Sequence, residues 1–157
     1  MGGALFSAEQ FAVGCNGSWC GDLSCFSERA GISTYSRSDG RNKVFFALSG
    51  ENFDGHNFLN AAAESGCCAL CISRSFTGVV PDLPLLKVDD VLAAYQSLAA
   101  FHRRSFPELT VAGVTGSVGK TSTKEMVRAI FTEFTNDADA VLYTVGNTNN
   151  HIGVPRN

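Results

Sequence analysis

This chain has no long apolar run and no excess of positive charge. Its longest uninterrupted apolar stretch, residues 67–72, falls far short of the ~20 residues that cross a bilayer as a helix. Twelve Lys and Arg against fifteen Asp and Glu leave a net charge of −3. That balance excludes recognition of nucleic acid or an anionic membrane by bulk positive charge. The one adjacent basic pair, Arg103-Arg104, falls where a helix is expected to end, and cations there complement the helix dipole. The opening MGGALFSAEQF has neither the basic lead nor the long apolar core of a secretory signal. Phe6 stands where a myristoylation motif needs Ser or Thr. A cytoplasmic monomer with no membrane and no nucleic-acid partner is expected. With 45% hydrophobic and 17% charged residues the composition is that of ordinary globular material, not of a disordered chain.

Histidine is scarce, at three residues, while cysteine is not, at six. Cys15, Cys20 and Cys25 are evenly spaced but have no histidine at zinc-finger distance. Cys68 and Cys71 form a Cys-x-x-Cys pair, yet they lie in a stretch that reads as a buried strand. Residues three apart on a strand face opposite sides, so these two thiols cannot chelate one ion. The cysteines are therefore expected as reduced, small apolar residues, with no zinc.

Along the chain, Ser7-Ala8-Glu9-Gln10 is a capping box that opens a short helix, with Gly14 as its expected stop. Apolar stretches at 44–48, 67–72 and 85–88 predict strands. A helix from about 57 to 65 is expected to end at Gly66, with Asp54-Gly55-His56 as the turn and cap before it or as a substrate loop. Asp89 is expected to cap a further helix whose apolar residues Leu92, Tyr95, Leu98, Ala99 and His102 recur at helical spacing. His102 on that apolar face reads as a packed residue. Strands at 109–114 and 141–145 flank a helix with Met126, Val127, Ile130, Phe131 and Phe134 on one face. Alternating strands and helices predict an α/β fold with parallel pairing. The expected division is a small N-terminal α/β domain over 1–88, a connecting helix over 89–106, and over 107–157 the truncated start of a parallel-sheet domain.

The most informative segment is Gly113-Val114-Thr115-Gly116-Ser117-Val118-Gly119-Lys120-Thr121-Ser122. A strand, a glycine-rich turn and a helix start in that order is the context of a phosphate-binding loop (P-loop). Glycines let successive N–H groups of residues 116–122 converge on phosphate oxygens. Lys120 supplies a point charge for the β- and γ-phosphates, and the Thr121 hydroxyl is suited to ligate Mg²⁺. Val114 stands where the strict pattern has its first glycine, so the match is to Thr-Gly-x-x-Gly-Lys-Thr. Asn147, Asn149 and Asn150 lie in the loop after a strand, where α/β proteins bind ligands, although asparagine also suits such turns for purely conformational reasons.

Three segments resemble one family, the Mur ligases, and cover nearly the whole chain. They are Thr115 to Met126, with Lys-Glu-Met after the loop; Gly146-Asn147-Thr148-Asn149-Asn150 running to Pro155; and Ser36-Arg37 followed by 45–48 and Gly50-Glu51-x-Phe53-Asp54-Gly55-His56. Within the family they look most like the branch that adds D-alanyl-D-alanine to a UDP-N-acetylmuramoyl-tripeptide. Two departures are Tyr35 in place of an aspartate before Ser36, and Arg41-Asn42 in place of Pro-Gly. The resemblance implies ATP and Mg²⁺ as cofactors, with Gly116, Ser117, Val118, Gly119, Lys120, Thr121, Ser122, Asn147 and Asn150 beside ATP. Lys120 would act in catalysis and Thr121 on the metal. Ser36, Arg37 and Asn149 would meet the UDP-linked substrate, though Arg37 also reads as a solvated surface charge. The implied reaction activates the tripeptide carboxylate as an acyl phosphate, which the amine of D-alanyl-D-alanine attacks. The competing readings are another P-loop NTPase or kinase, disfavoured because 141–145 ends in Gly-Asn rather than Asp, and a non-catalytic nucleotide-binding fragment.

Overall fold

The computed structural model describes residues 4–50, 53–145 and 150–156. The chain forms two units, residues 1–105 and 106–157.

The first unit begins with α1 (Ala8–Cys15), opened by a complete capping box. The Ser7 hydroxyl accepts from the Gln10 N–H at 3.2 Å, and the Gln10 side chain accepts from the Ser7 N–H at 3.0 Å. Gly14 does not stop this helix. The turn runs on to Cys15, and Asn16, with φ 51°, makes the left-handed exit. Gly14 is a packing position instead: a Cβ there would lie 2.6 Å from the Leu98 Cδ1.

Then follow β1 (Ser18–Cys20), β2 (Gly31–Ser33), β3 (Lys43–Phe46) and a short hairpin of β4 (Ser49–Gly50) with β5 (Phe53–Asp54). A 3-10 turn, Gly55–Phe58, leads into α2 (Leu59–Glu64), and β6 (Ala69–Ser73), β7 (Leu85–Val88) and α3 (Val91–Arg104) complete the unit. Five strands form one sheet in the order β1-β7-β6-β3-β2. The pairs β2–β3, β3–β6 and β6–β7 are parallel, and β1 joins β7 antiparallel at one edge.

Both faces of the sheet are covered, which is why its central strands are apolar without alternation. Phe45, Leu70, Ile72 and Leu85 pack with Leu59 and Ala62 of α2 on one face. On the other face Phe46 meets Phe11 of α1 and Tyr95 of α3, at ring-centroid distances of 6.3 and 5.7 Å. Helix α3, expected as a connector, thus belongs to the first unit, with Val91, Ala94, Tyr95 and Leu98 buried. His102 packs edge-on against Phe6 at 5.1 Å, as its apolar neighbours predict. The cap of α3 is Asp90, which accepts from the Ala93 N–H at 2.9 Å. Asp89, expected in that role, pairs with Arg74 at 3.2 Å.

The second unit contains α4 (Lys120–Thr135), a 3-10 turn Ala138–Ala140 and α5 (Gly153–Arg156). The strands expected at 109–114 and 141–145 do not form. A strand exists only where a neighbour takes its N–H and C=O groups, and no ladder forms among the described residues of this unit. Val111, Leu142 and Val145 are accordingly exposed.

Gly55 illustrates how tightly the first unit closes. Its N–H donates to the Leu48 carbonyl at 2.8 Å, and a Cβ would lie 2.4 Å from that same oxygen, which is fixed backbone. Gly55→Ala is expected to lower stability by about 1–3 kcal/mol through overpacking, read as a fall in urea midpoint at unchanged slope. An unchanged midpoint would show that the hairpin yields freely.

Candidate functional site

Two groups of residues bear chemistry, one in each unit. In the second unit the helix start is built by glycine geometry. Gly116 has φ +149° and Gly119 has φ +79°, backbone that side-chain-bearing residues rarely adopt. Gly119 is the N-cap of α4, and its carbonyl receives the first helical bond, from the Thr123 N–H at 2.9 Å. The N–H groups of Lys120, Thr121 and Ser122 therefore precede the intrahelical ladder and point out of the helix start. Gly116, Ser117, Val118 and Gly119 are exposed, and no atom lies within 4 Å of a Cβ built on Gly119. The Lys120 ammonium folds over the turn, donating to the Gly116 carbonyl and, at 3.5 Å, to that of Ser117. The loop thus offers N–H groups ahead of the helical ladder, the Lys120 cation and the exposed Thr121 and Ser122 hydroxyls around one open turn. That donor set fits a polyphosphate with a bound Mg²⁺.

Sequence reasoning missed the groups that flank this turn. The Lys124 ammonium donates to the Thr144 carbonyl at 2.6 Å and pairs with Glu125 at 3.0 Å. The Arg128 guanidinium lies 4.0 Å from the centre of the Tyr143 ring, a cation–π contact. Together they dock residues 143–144 alongside α4. Hydrogen bonding from Lys124, with smaller contributions from Arg128, lowers the Glu125 pKa. The i,i+4 spacing of Lys124 and Arg128 was the available signal, but only the fold supplies Tyr143 opposite them.

Of the expected asparagines, Asn147 and Asn149 lie outside the described residues. Asn150 accepts from the Ile152 and Gly153 N–H groups at 3.1 and 2.6 Å. Its side-chain oxygen is committed to the turn before α5, the conformational role that asparagine's turn chemistry anticipates.

In the first unit the parallel strands end together, so the segments after β2, β3, β6 and β7 emerge at one carboxyl edge. Ser36, half-buried, and Arg37, exposed, sit in the loop that follows β2. Ser33 and Ser38 hydroxyls both donate to the Tyr35 carbonyl at 3.0 Å and shape that loop. At the same edge Asp54 caps the 3-10 turn, accepting from the His56 N–H at 3.0 Å and from the Ser49 hydroxyl at 2.6 Å. Capping therefore accounts for Asp54.

His56 does more than its sequence neighbours suggested. The Ser73 N–H donates to its Nε2 at 3.1 Å, so the ring proton sits on Nδ1 and is donated to Asp54 at 2.7 Å. The ring is also stacked on Phe76 at 4.6 Å, and its side chain is only 7% exposed. The hydrogen bonds to Asp54, that from Ser49 foremost and then those from His56, hold its carboxyl down at about 2. All six cysteines are free. Among the described residues, no three His, Cys, Asp or Glu side chains are grouped to hold a metal ion, and no helix is long and apolar enough to cross a membrane.

The chain is similar to known proteins in sequence and in fold. Residues 114–157 match the Mur ligase middle domain. A UDP-N-acetylmuramoyl-tripeptide–D-alanyl-D-alanine ligase of Synechocystis sp. is 42% identical over 125 residues, 80% of this chain and 26% of that protein. The Escherichia coli ligase of the same name is 47% identical over 112 residues, 71% of this chain and 23% of that protein. Among solved structures, a MurF from Acinetobacter baumannii superposes with a TM-score of 0.82 at 30% identity, covering 99% of this chain and 33% of that one. A Thermotoga maritima MurF ligase, solved in complex with ADP, gives 0.61 at 28% identity, covering 87% of this chain and 29% of that one. The class defined by these likenesses is that of the Mur ligases. Within it, the chain is similar to the D-alanyl-D-alanine-adding ligases, and it spans about a quarter of the length of the curated relatives it matches.

Loss of the Asp54 charge has a predictable pH signature. Its folded pKa of about 2 lies below the ~3.9 of an unfolded aspartate. Its contribution is therefore present above about pH 4 and is lost as pH falls through about 2. Because the carboxylate is half-exposed, screening limits this to about 1 kcal/mol. The stability difference between pH 6 and pH 2.5 should be smaller in Asp54→Asn than in the parent, as measured by urea unfolding. Identical differences in the two proteins would refute the assignment.

Proposed function

We propose that this chain belongs to an ATP-dependent ligase of peptidoglycan precursor synthesis that joins D-alanyl-D-alanine to a UDP-N-acetylmuramoyl-tripeptide. The observation that supports this most directly is the Gly116–Gly119 turn at the start of α4, with Lys120 folded over it. The likeness of the chain to a ligase solved with ADP supports nucleotide binding.

In this reading the N–H groups of residues 116–122 cradle the phosphates. The Lys120 ammonium leaves the carbonyls of its own loop for the phosphate oxygens and neutralises charge as the γ-phosphoryl group departs. The Thr121 hydroxyl would hold Mg²⁺, which would screen the phosphate charges. ATP supplies the phosphoryl group that turns the tripeptide carboxylate into an acyl phosphate, and the dipeptide amine then displaces phosphate to form the amide. By resemblance alone, Asn147 and Asn150 are assigned to ATP and Asn149 to the UDP-linked substrate. Ser36 and Arg37 serve the uridine-diphosphate end, where the guanidinium can fork onto phosphate oxygens. A cytoplasmic monomer acting on small soluble substrates is part of the same reading.

Titration of the 157-residue chain with Mg-ATP and with the UDP-linked tripeptide tests the proposal. Lys120→Ala is expected to weaken Mg-ATP by about tenfold or more, the equivalent of at least ~1.4 kcal/mol, and to leave the UDP compound unaffected. Arg37→Ala should do the reverse. If neither ligand binds the folded chain, or if Lys120→Ala leaves ATP affinity unchanged, the reading fails.

A further inference from the structure

The segment 21–30 crosses the sheet at the edge opposite Ser36, Arg37 and His56. It leaves β1 at Cys20, which pairs with Leu85 at the beginning of β7, and enters β2 at Gly31, which pairs with Lys43 at the beginning of β3. Its course therefore runs along the amino edge of the parallel strands. Three contacts hold it there. Phe26 packs edge-on against Phe11 and Trp19 at 6.0 and 5.5 Å. Ser27 hydrogen-bonds to the Asn42 side chain. The Cys25 thiol reaches the Cys68 carbonyl at 3.5 Å.

Cys68 immediately precedes β6 and is 43 residues away from Cys25 in the chain. Its sulfur springs from the same Cα as the carbonyl that Cys25 touches and donates to the Lys43 carbonyl at 3.3 Å, so a bridge requires the Cys68 side chain to leave that bond and turn towards Cys25. Cys25 is exposed and Cys68 partly buried, whereas the neighbouring Cys67 is buried and turned towards Ser65, 3.8 Å from its hydroxyl. Cys15 and Cys71 are also buried. Of the remaining thiols, the exposed Cys20 on β1 and the partly buried Cys68 are open to Cys25, and it is the Cys68 backbone that Cys25 touches.

We infer that Cys25 and Cys68 form an oxidation-dependent disulfide that staples segment 21–30 across the amino edge of the sheet. The oxidant is a small disulfide such as oxidised glutathione. The exposed Cys25 thiolate attacks it, forming a mixed disulfide and releasing one glutathione thiolate. The Cys68 thiolate then attacks Cys25 Sγ and expels the second. The two protein thiols lose two protons and two electrons, and one oxidised glutathione becomes two reduced molecules. Burial raises the Cys68 thiol to about 11, so the closing step should quicken about tenfold per pH unit between pH 7 and 9.

The test treats the folded, fully reduced chain with oxidised glutathione and reads intact mass, free thiols and a non-reducing peptide map. The expected product has lost two hydrogens, retains no glutathione, has two fewer free thiols than the six of the reduced chain, and joins the peptides containing Cys25 and Cys68. Its melting temperature should rise by about 5 °C or more. Cys68→Ser should stop with one glutathione on Cys25, and Cys25→Ser should form no bridge to Cys68. A stable mixed disulfide in the parent chain would overturn the inference. So would a bridge to Cys20, or no reaction under conditions where the protein unfolded in urea is oxidised.

Discussion

The first unit depends on β3 and β6 lying side by side in parallel, covered on both faces. Val44, Phe45 and Phe46 oppose Ala69, Leu70 and Cys71, and all six residues are buried. A slip of β3 by one residue against β6 would turn its side chains to the opposite face, moving Phe46 from the α1–α3 side into the space filled by α2. That register is strongly specified, and it has a consequence at the edge. Because both strands run the same way, they release the chain at one side of the sheet, and the connection from Ala47 to Cys68 must cross back over a whole face. The hairpin, the 3-10 turn and α2 are that crossing. His56 closes it by tying the turn that follows β5 to the end of β6 through the Ser73 N–H. The loop bearing Ser36 and Arg37 follows β2, which is held in the same register through β3.

Local rules were legible where the interaction itself is local. The capping box at Ser7 and Gln10 forms as its four-residue pattern prescribes, because both partners lie within one turn. Strands β3, β6 and β7 were legible from apolar runs that only a doubly covered sheet can bury, whereas β1 and β2, three residues each, carry no such run. The misreadings arose where a distant residue decides. Nothing within α1 reveals that Gly14 faces Leu98, and nothing near Asp89 and Asp90 tells which will cap and which will meet Arg74. His56 is the sharpest case. Asp54, two residues before it, is visible in the sequence, but the acceptor role of Nε2 depends on Ser73, seventeen positions on.

The same distinction separates the halves of the phosphate-loop motif. Its turn is local: two glycines at positive φ and the first helical bond are set by residues 116–123 alone. Its flanking strands are not, and the segments at 109–114 and 141–145 have the composition of strands without the pairing that makes one. Helix α4 shows the equivalent on its surface. None of its residues is buried, and Met126, Ile130 and Phe134 are 66%, 67% and 84% exposed. An apolar stripe at that spacing is written for a packed neighbour, and among the described residues none covers it; the left-handed Asn136 closes the helix at its end. The anion-binding character of a helix start arises from its first free N–H groups and fades within a turn. It therefore requires α4 to be helical only near Lys120, and the loop has its phosphate-ready geometry even though the sheet expected beside it does not form among the described residues of that unit.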